Sequence, residues 1–353
     1  MKRVFWVLPV FLFLAVLVMI FSGCYTIKQG TALLTYLGRA VPLEELAGES
    51  GGGEAQKNRE FAERVFDIRR FAMEELGLKE SKNYTNYVPI DRDYLAVVVS
   101  ACDADSFTTH IWKYPVVGAL PYKGFFDSAG ARKEAARLDK KGLDVWVRGV
   151  DAFSTLGWFK DPLYSYMRDY PVHRLADLII HELLHSTVFI KNQAAFNEQL
   201  AEYVGTEGAK RYIESRFGPE SPEYRSILSS KHDAEAFSAF LRLLSADLDA
   251  VYQNPALDHD AKLGEKARII NDAKLRFDAE YTSRFTGDNY RFFTSLEINN
   301  AYLDLYRLYE ADTFFADLAL ESAASLDRMI SAAKKIAPKS TNPRQELKTL
   351  LAG

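Results

Sequence analysis

Residues 175–200, LADLIIHELLHSTVFIKNQAAFNEQL, leave the chain little choice of local structure. The stretch RLADLIIHELLHSTVFI holds no Pro or Gly and surrounds two histidines with apolar residues, so it reads as a helix. The polar break KNQ ends it, and a second helix follows from about 195. On a helix, residues four apart share a face, so His181 and His185 can present both imidazoles to one ion. Glu182 lies between them and can reach a water held beside that ion. Histidine-Glu-x-x-histidine on a helix is the zinc-binding motif of metalloproteases, with the Glu as general base. Such a histidine pair also arises in ordinary packing, so the rest of a metal site must decide.

A catalytic zinc takes three protein ligands. Downstream, AAFNEQLAEYV offers Asn197-Glu198 and, one turn later, Glu202. This resembles the gluzincin arrangement, where an Asn-Glu pair at the start of the next helix supplies the third ligand. The natural division places Glu198 on the metal and Glu202 against the other ring nitrogen of a ligand imidazole, fixing its tautomer. A plain solvated helix charge is the alternative for Glu202. The thirteen positions from His185 to Glu198 form a short step. They require the first helix to end near Lys191-Asn192 and turn tightly; a longer turn makes Glu202 the ligand instead.

The N-terminus reads as a targeting segment. Lys2 and Arg3 precede an apolar run that ends in Phe21-Ser22-Gly23-Cys24. Small residues before the cysteine resemble a bacterial lipobox, although Phe21 departs from the usual Leu. Residues 1–23 are then a lipoprotein signal peptide and Cys24 the lipidated residue. A plain membrane anchor is the other reading, since roughly 18–20 apolar residues span a bilayer. Either way the chain faces a compartment outside the cytoplasm. The reading adopted is the bacterial cell envelope, lipid-anchored and facing the periplasm or exterior. With Cys24 lipidated, Cys102 stands alone and reads as a buried small hydrophobe. A formal charge of −4 gives no polyanion footprint, so nucleic acid is not an expected partner.

Residues 24–58 read as an anchored segment with a Gly-rich flexible loop, and 59–340 as one α+β unit. Its strand-containing lobe covers about 59–170 and its helical lobe about 171–340. Helices are expected over roughly 172–191, 195–216, 222–252, 259–282, 296–310 and 312–336. SAGARKEAARLDKKG reads as an exposed helix, and short strands are expected around DYLAVVVSAC, HIWKYPVVGALPYKGFF and LDVWVRGVDAFSTLGWF.

Several stretches together resemble a bacterial family of predicted aminopeptidases of the zinc-dependent gluzincin type. They are PVVGALPYKGFFD (115–127), GLDVWVRGVDAFSTLGWFKDP (142–162), LIIHELLHSTVFIKNQAAFNEQLAEYVG (178–205) and NNAYL (299–303). The resemblance implies a zincin-like fold, one zinc ion on His181, His185 and Glu198, and Glu182 as base. In gluzincins a strand upstream of the active-site helix pairs with the peptide substrate. Phe153, Ser154, Thr155, Leu156, Gly157 and Trp158 lie at the right distance for that edge, and a packed loop is the alternative. Tyr302, within NNAYL, is the candidate to stabilise the oxyanion, with His232 and Tyr290 as competitors. Asn299 and Asn300 instead suit buried backbone groups.

An aminopeptidase also needs an acidic group for the substrate ammonium. The Gly-x-Met-x-Asn-type motif used by large aminopeptidase families is absent, and Asp151 and Asp161 flank the proposed edge with nothing to select either. No phosphate loop or C-x-x-C pattern occurs. The expected function is a zinc metallopeptidase, in particular an aminopeptidase, acting on a peptide or protein substrate. An endopeptidase, a cell-wall peptide amidase, and a non-catalytic envelope lipoprotein with a structural metal site are the alternatives.

Overall fold

The run AVVVSACD forms the central strand of a small antiparallel sheet, because its β-branched residues suit a strand covered on both faces. The structure, a computed structural model, describes residues 31–32, 34–114, 118–150, 161–308 and 313–352. In chain order the first elements are β1 (Val41–Pro42), α1 (Leu43–Ala47), α2 (Gly53–Glu74), β2 (Asn86–Val88) and β3 (Ala96–Asp103). Next come β4 (Trp112–Tyr114), β5 (Gly118–Leu120), β6 (Tyr122–Phe125), α3 (Ser128–Asp139), β7 (Leu143–Val150) and β8 (Leu163–Tyr164). Strand β3 pairs antiparallel with β6 and β7, while β2 pairs antiparallel with β1 and parallel with β8. Val97, Val99 and Ala101 of β3 pack with Ala131 and Leu138 of α3. That helix is therefore half-buried, where an exposed one was expected.

The remainder is helical: α4 (Val172–Thr187), α5 (Ala194–Phe217), α6 (Pro222–Tyr252), α7 (His259–Arg284), α8 (Asn300–Leu308), α9 (Phe314–Glu321), α10 (Leu326–Ala333) and α11 (Pro343–Ala352). The chain is thus a mixed α+β protein, mostly helical with small sheets. Several boundaries differ from the sequence reading, two of them by kind. Helix α2 starts inside the Gly-rich stretch expected to be a loop, and the segment expected as helix 312–336 is broken around Ala323, whose φ is +47°. Among the described residues no helix is long and apolar enough to cross a membrane. The leader and Cys24 lie outside the described residues.

Among the described residues three cores form, and they do not follow chain order. Helices α2, α4, α5, α9, α10 and α11 enclose the largest, together with strands β2 and β8. Helices α6, α7 and α8 enclose an aromatic second core, and β3 with α3 the third. Cys102 is fully buried, and burial pushes its thiol far above the usual range.

One buried asparagine locks α8 onto the sheet. The Asn300 amide donates to the carbonyls of Asp103, Ala104 and Ser106 at 2.9, 3.2 and 3.0 Å, and its Oδ1 accepts from the Tyr252 hydroxyl at 2.7 Å. Its backbone N–H donates to Asp144 Oδ2 at 2.6 Å, and Asn299 donates to the Val145 carbonyl at 2.9 Å. The asparagines of NNAYL thus satisfy buried backbone groups. Asn300→Ala would leave several of these groups unpaired, so it is expected to lower unfolding free energy by about 3 kcal/mol. Urea unfolding with an unchanged m-value is the check.

Candidate metal centre

Helix α4 buries one face completely. Leu175, Ala176, Ile179, Ile180, Leu183 and Leu184 repeat at helical spacing and are all buried. His181 and His185 sit on the other side, at 24% and 19% side-chain exposure. The helix ends at Thr187, four residues before the expected Lys191. Val188, Phe189 and Ile190 then leave the helix, with Val188 extended and Val188 and Ile190 buried. The tight reversal comes at Lys191-Asn192, where Asn192 takes φ +62°, a region asparagine tolerates.

Asn197 pins that turn. Its Oδ1 accepts from the Ile190 N–H at 2.9 Å and its Nδ2 donates to the Ile190 carbonyl at 2.8 Å. The side chain is buried at 3% exposure, so both of its polar ends need these partners. Glu198 is the next residue and faces α4. Further along, two glycines let the helices approach. A Cβ on Gly205 would lie 3.1 Å from the Asp177 carbonyl and 3.2 Å from His181 Cβ, and one on Gly208 would lie 3.0 Å from Ile180.

His181, His185 and Glu198 converge, and among the described residues they form the one group of three or more His, Cys, Asp or Glu side chains spaced to hold a metal ion. The two Nε2 atoms are 3.2 Å apart. Glu198 Oε2 is 3.6 Å from His181 Nε2, and Oε1 is 3.5 Å from His185 Nε2. Zinc bonds of about 2.0–2.2 Å in tetrahedral array separate ligand atoms by about 3.3–3.6 Å. The carboxylate contacts are long for N–H···O hydrogen bonds and right for ligands around a common centre. Two imidazoles and one carboxylate are also a donor set that zinc accepts. The residues therefore fit the ion. Glu198 is 64% exposed, so the trio opens toward solvent on its side.

The electrostatics suit a cation. Contact with His181 and then His185 holds the Glu198 carboxylate well below the usual carboxylate range. Burial disfavours the charged form of His181, but Glu198, Glu182 and Asp177 outweigh it and raise its proton affinity. Burial raises the Glu182 carboxyl, opposed by the two imidazoles and reinforced by Asp161 and Glu198. Burial pushes Asp177 up to about 6 against the pull of His181. Asp177 went unnoticed in the sequence, although it lies one helical turn before His181 and the same periodicity would have found it.

Among the other sequence candidates, Glu202 is exposed and lies outside the ligand group. Its described electrostatic neighbour is Asp177. The structure does not bring Tyr302 into the ligand group. It is buried in the second core, with its ring 4.7 Å from Trp146 and its hydroxyl donating to that of Tyr306. Tyr290 lies in the same core, stacked on Phe237, and His232 contacts Asp233. The proposed substrate edge, Phe153 to Trp158, lies outside the described residues.

Fold and site together define a mixed α+β protein carrying a three-ligand, metal-competent centre on a helix pair. A family model described as "Putative aminopeptidase" matches residues 24–348, and the chain belongs to that family. Membership suggests a peptidase-like hydrolase. Neither a curated protein nor a solved structure matches the chain.

The geometry makes a separable prediction for metal binding. Glu198→Ala and Gly205→Val are each expected to lose bound zinc, the first by removing a donor and the second by displacing the His181 turn. Glu202→Ala is expected to keep it. Metal content after gel filtration is the measurement; zinc lost from Glu202→Ala but kept in Glu198→Ala would reassign the third ligand.

Proposed function

We propose that this protein is a zinc-dependent metallopeptidase of the gluzincin type with a zincin-like fold, and an aminopeptidase by preference. The observation that supports it most is the mutual spacing of the His181, His185 and Glu198 donor atoms, with Glu182 on the same helix but outside the ligand set. A purely structural site has no use for a half-buried carboxylate in that position.

His181 and His185 would hold the ion through Nε2, and Glu198 through its carboxylate. A bound zinc supplies Lewis-acid activation of a water and of the substrate carbonyl. The chain's own contribution is proton handling. Glu182 takes a proton from the attacking water and returns it to the leaving amine as the C–N bond breaks. Its burial favours a carboxyl that can hold the proton between those two events. The apolar face of α4 fixes both histidine backbones, so the geometry costs nothing to assemble during the reaction.

Glu182→Gln is expected to retain one zinc per chain and to lower kcat for aminoacyl-amide hydrolysis by roughly 10²–10⁴-fold. Undiminished turnover in that variant would rule out the proton-shuttle role.

We further propose that the enzyme is tethered in the bacterial envelope through lipid on Cys24, which follows the apolar leader. Labelled fatty acid should enter the wild-type chain and not Cys24→Ala; label persisting in the variant would discard the tether.

A further inference from the structure

We propose that Asp161 binds the α-ammonium group of the peptide substrate, which makes the centre an exopeptidase site. This rests on the peptidase reading above and selects one acidic residue of the two that flank the upstream segment.

Substrate geometry sets where such a residue must lie. The α-nitrogen is two bonds from the scissile carbonyl carbon, about 2.5 Å given N–Cα and Cα–C lengths near 1.5 Å. A carboxylate that accepts from that ammonium must therefore stand in the neighbourhood of the general base. Asp161 meets this condition: its backbone is hydrogen-bonded to Tyr84, in the loop that is itself bonded to Ser186 and Thr187 at the end of the metal helix, and it is an electrostatic neighbour of Glu182. Asp161 is half-buried.

Its backbone is held from both sides. The Tyr84 N–H donates to the Asp161 carbonyl at 2.8 Å, and the Asp161 N–H donates to Asn83 Oδ1 at 3.4 Å. Immediately after it, Leu163 and Tyr164 enter β8, which runs parallel to β2. The loop supplying these partners is itself tied to the metal helix. The Lys79 N–H donates to Thr187 Oγ1 at 2.9 Å, and the Ser186 hydroxyl donates to that of Ser81 at 3.3 Å. Ser186 and Thr187 follow His185 directly. Arg69 of α2 donates to the carbonyls of both Ser81 and Asn83.

Tyr84 carries the mark of a constrained position. Its φ is +58°, left-handed for an aromatic residue that is 3% exposed. Large side chains avoid this region, and such outliers cluster where a backbone must be held for function. Here the left-handed turn aims the Tyr84 N–H at Asp161. Tyr84 is thus a positioning residue and Asp161 the one that touches substrate.

The test uses the full zinc-loaded protein with an aminoacyl p-nitroanilide and its Nα-acetyl counterpart. Wild type is expected to favour the free amine strongly. Asp161→Asn should lose that preference by about 30-fold or more, as expected when one partner of a desolvated charge pair is neutralised. The loss should fall on KM for the free-amine substrate, with zinc content unchanged. Asp161→Glu should recover part of the preference, which a merely structural role would not allow. A direct readout is inhibition by an amino-acid hydroxamate against its N-acetyl form, with only the free-amine compound losing affinity in Asp161→Asn. Equal cleavage of free and acetylated substrates by wild type overturns this proposal while leaving the peptidase reading intact. So does an undiminished preference in Asp161→Asn. A zinc-loaded wild type that cleaves neither substrate nor any N-acetylated peptide overturns both.

Discussion

The centre depends on how closely α5 can lie against α4. Three donor atoms from two helices must meet within the edges of one small tetrahedron, so an error of a few tenths of an ångström in the helix separation is felt directly. Gly205 and Gly208 remove the side chains that would hold the helices apart, at the level of His181 and Ile180. Asn197 fixes the other end by bonding both polar groups of Ile190. Glu198 follows Asn197, so the same buried amide that closes the turn also sets the height of Glu198 against the two histidines.

That turn explains the short step from His185 to Glu198. A helix prolonged to 191 would carry the reversal about 6 Å further, one full turn at 1.5 Å per residue. Glu202, one turn after Glu198, would then come level with His185. Ending α4 at Thr187 keeps Glu198 level instead. The polar triplet KNQ pointed to a break, but the helix stops earlier, in residues that propensity treats as neutral. Val188 and Ile190 leave the helix to fill the core, and Lys191 donates its N–H to the Pro338 carbonyl at 2.8 Å. That partner lies far along the chain, so no local pattern announces it.

Legibility followed the range of the interactions. The histidine pair was readable from its helical spacing and Glu198 from the resemblance of its Asn-Glu pair, and the structure brings the three side chains together; the α+β character of the chain was readable too. Asp177 lies one helical turn before His181, so the same periodicity reaches it. Other features depend on remote contacts and left no local trace. Asn299 and Asn300 were legible as suited to buried backbone groups, but the partners of Asn300, from Asp103 to Ser106 and Tyr252, lie far along the chain and no local pattern names them. The break at Ala323 falls in Glu-Ser-Ala-Ala-Ser, where alanine favours helix and only tertiary packing decides otherwise.

The arrangement of buried and exposed surface separates two tasks that a hydrolytic centre must combine. Rigidity comes from α4, whose apolar face belongs to the largest core and whose C-terminus is tied to the 79–85 loop. Access comes from α5, which presents Glu198 at a largely exposed position. A ligand set buried on all sides would hold a metal as firmly but leave no approach for a peptide. One exposed on all sides would leave the imidazoles free to rotate. Setting the histidines on the buried helix and the carboxylate on the open one answers both requirements with a single helix pair. The strained Tyr84 turn extends the same logic to the upstream wall, where a fixed backbone carries a half-exposed acid.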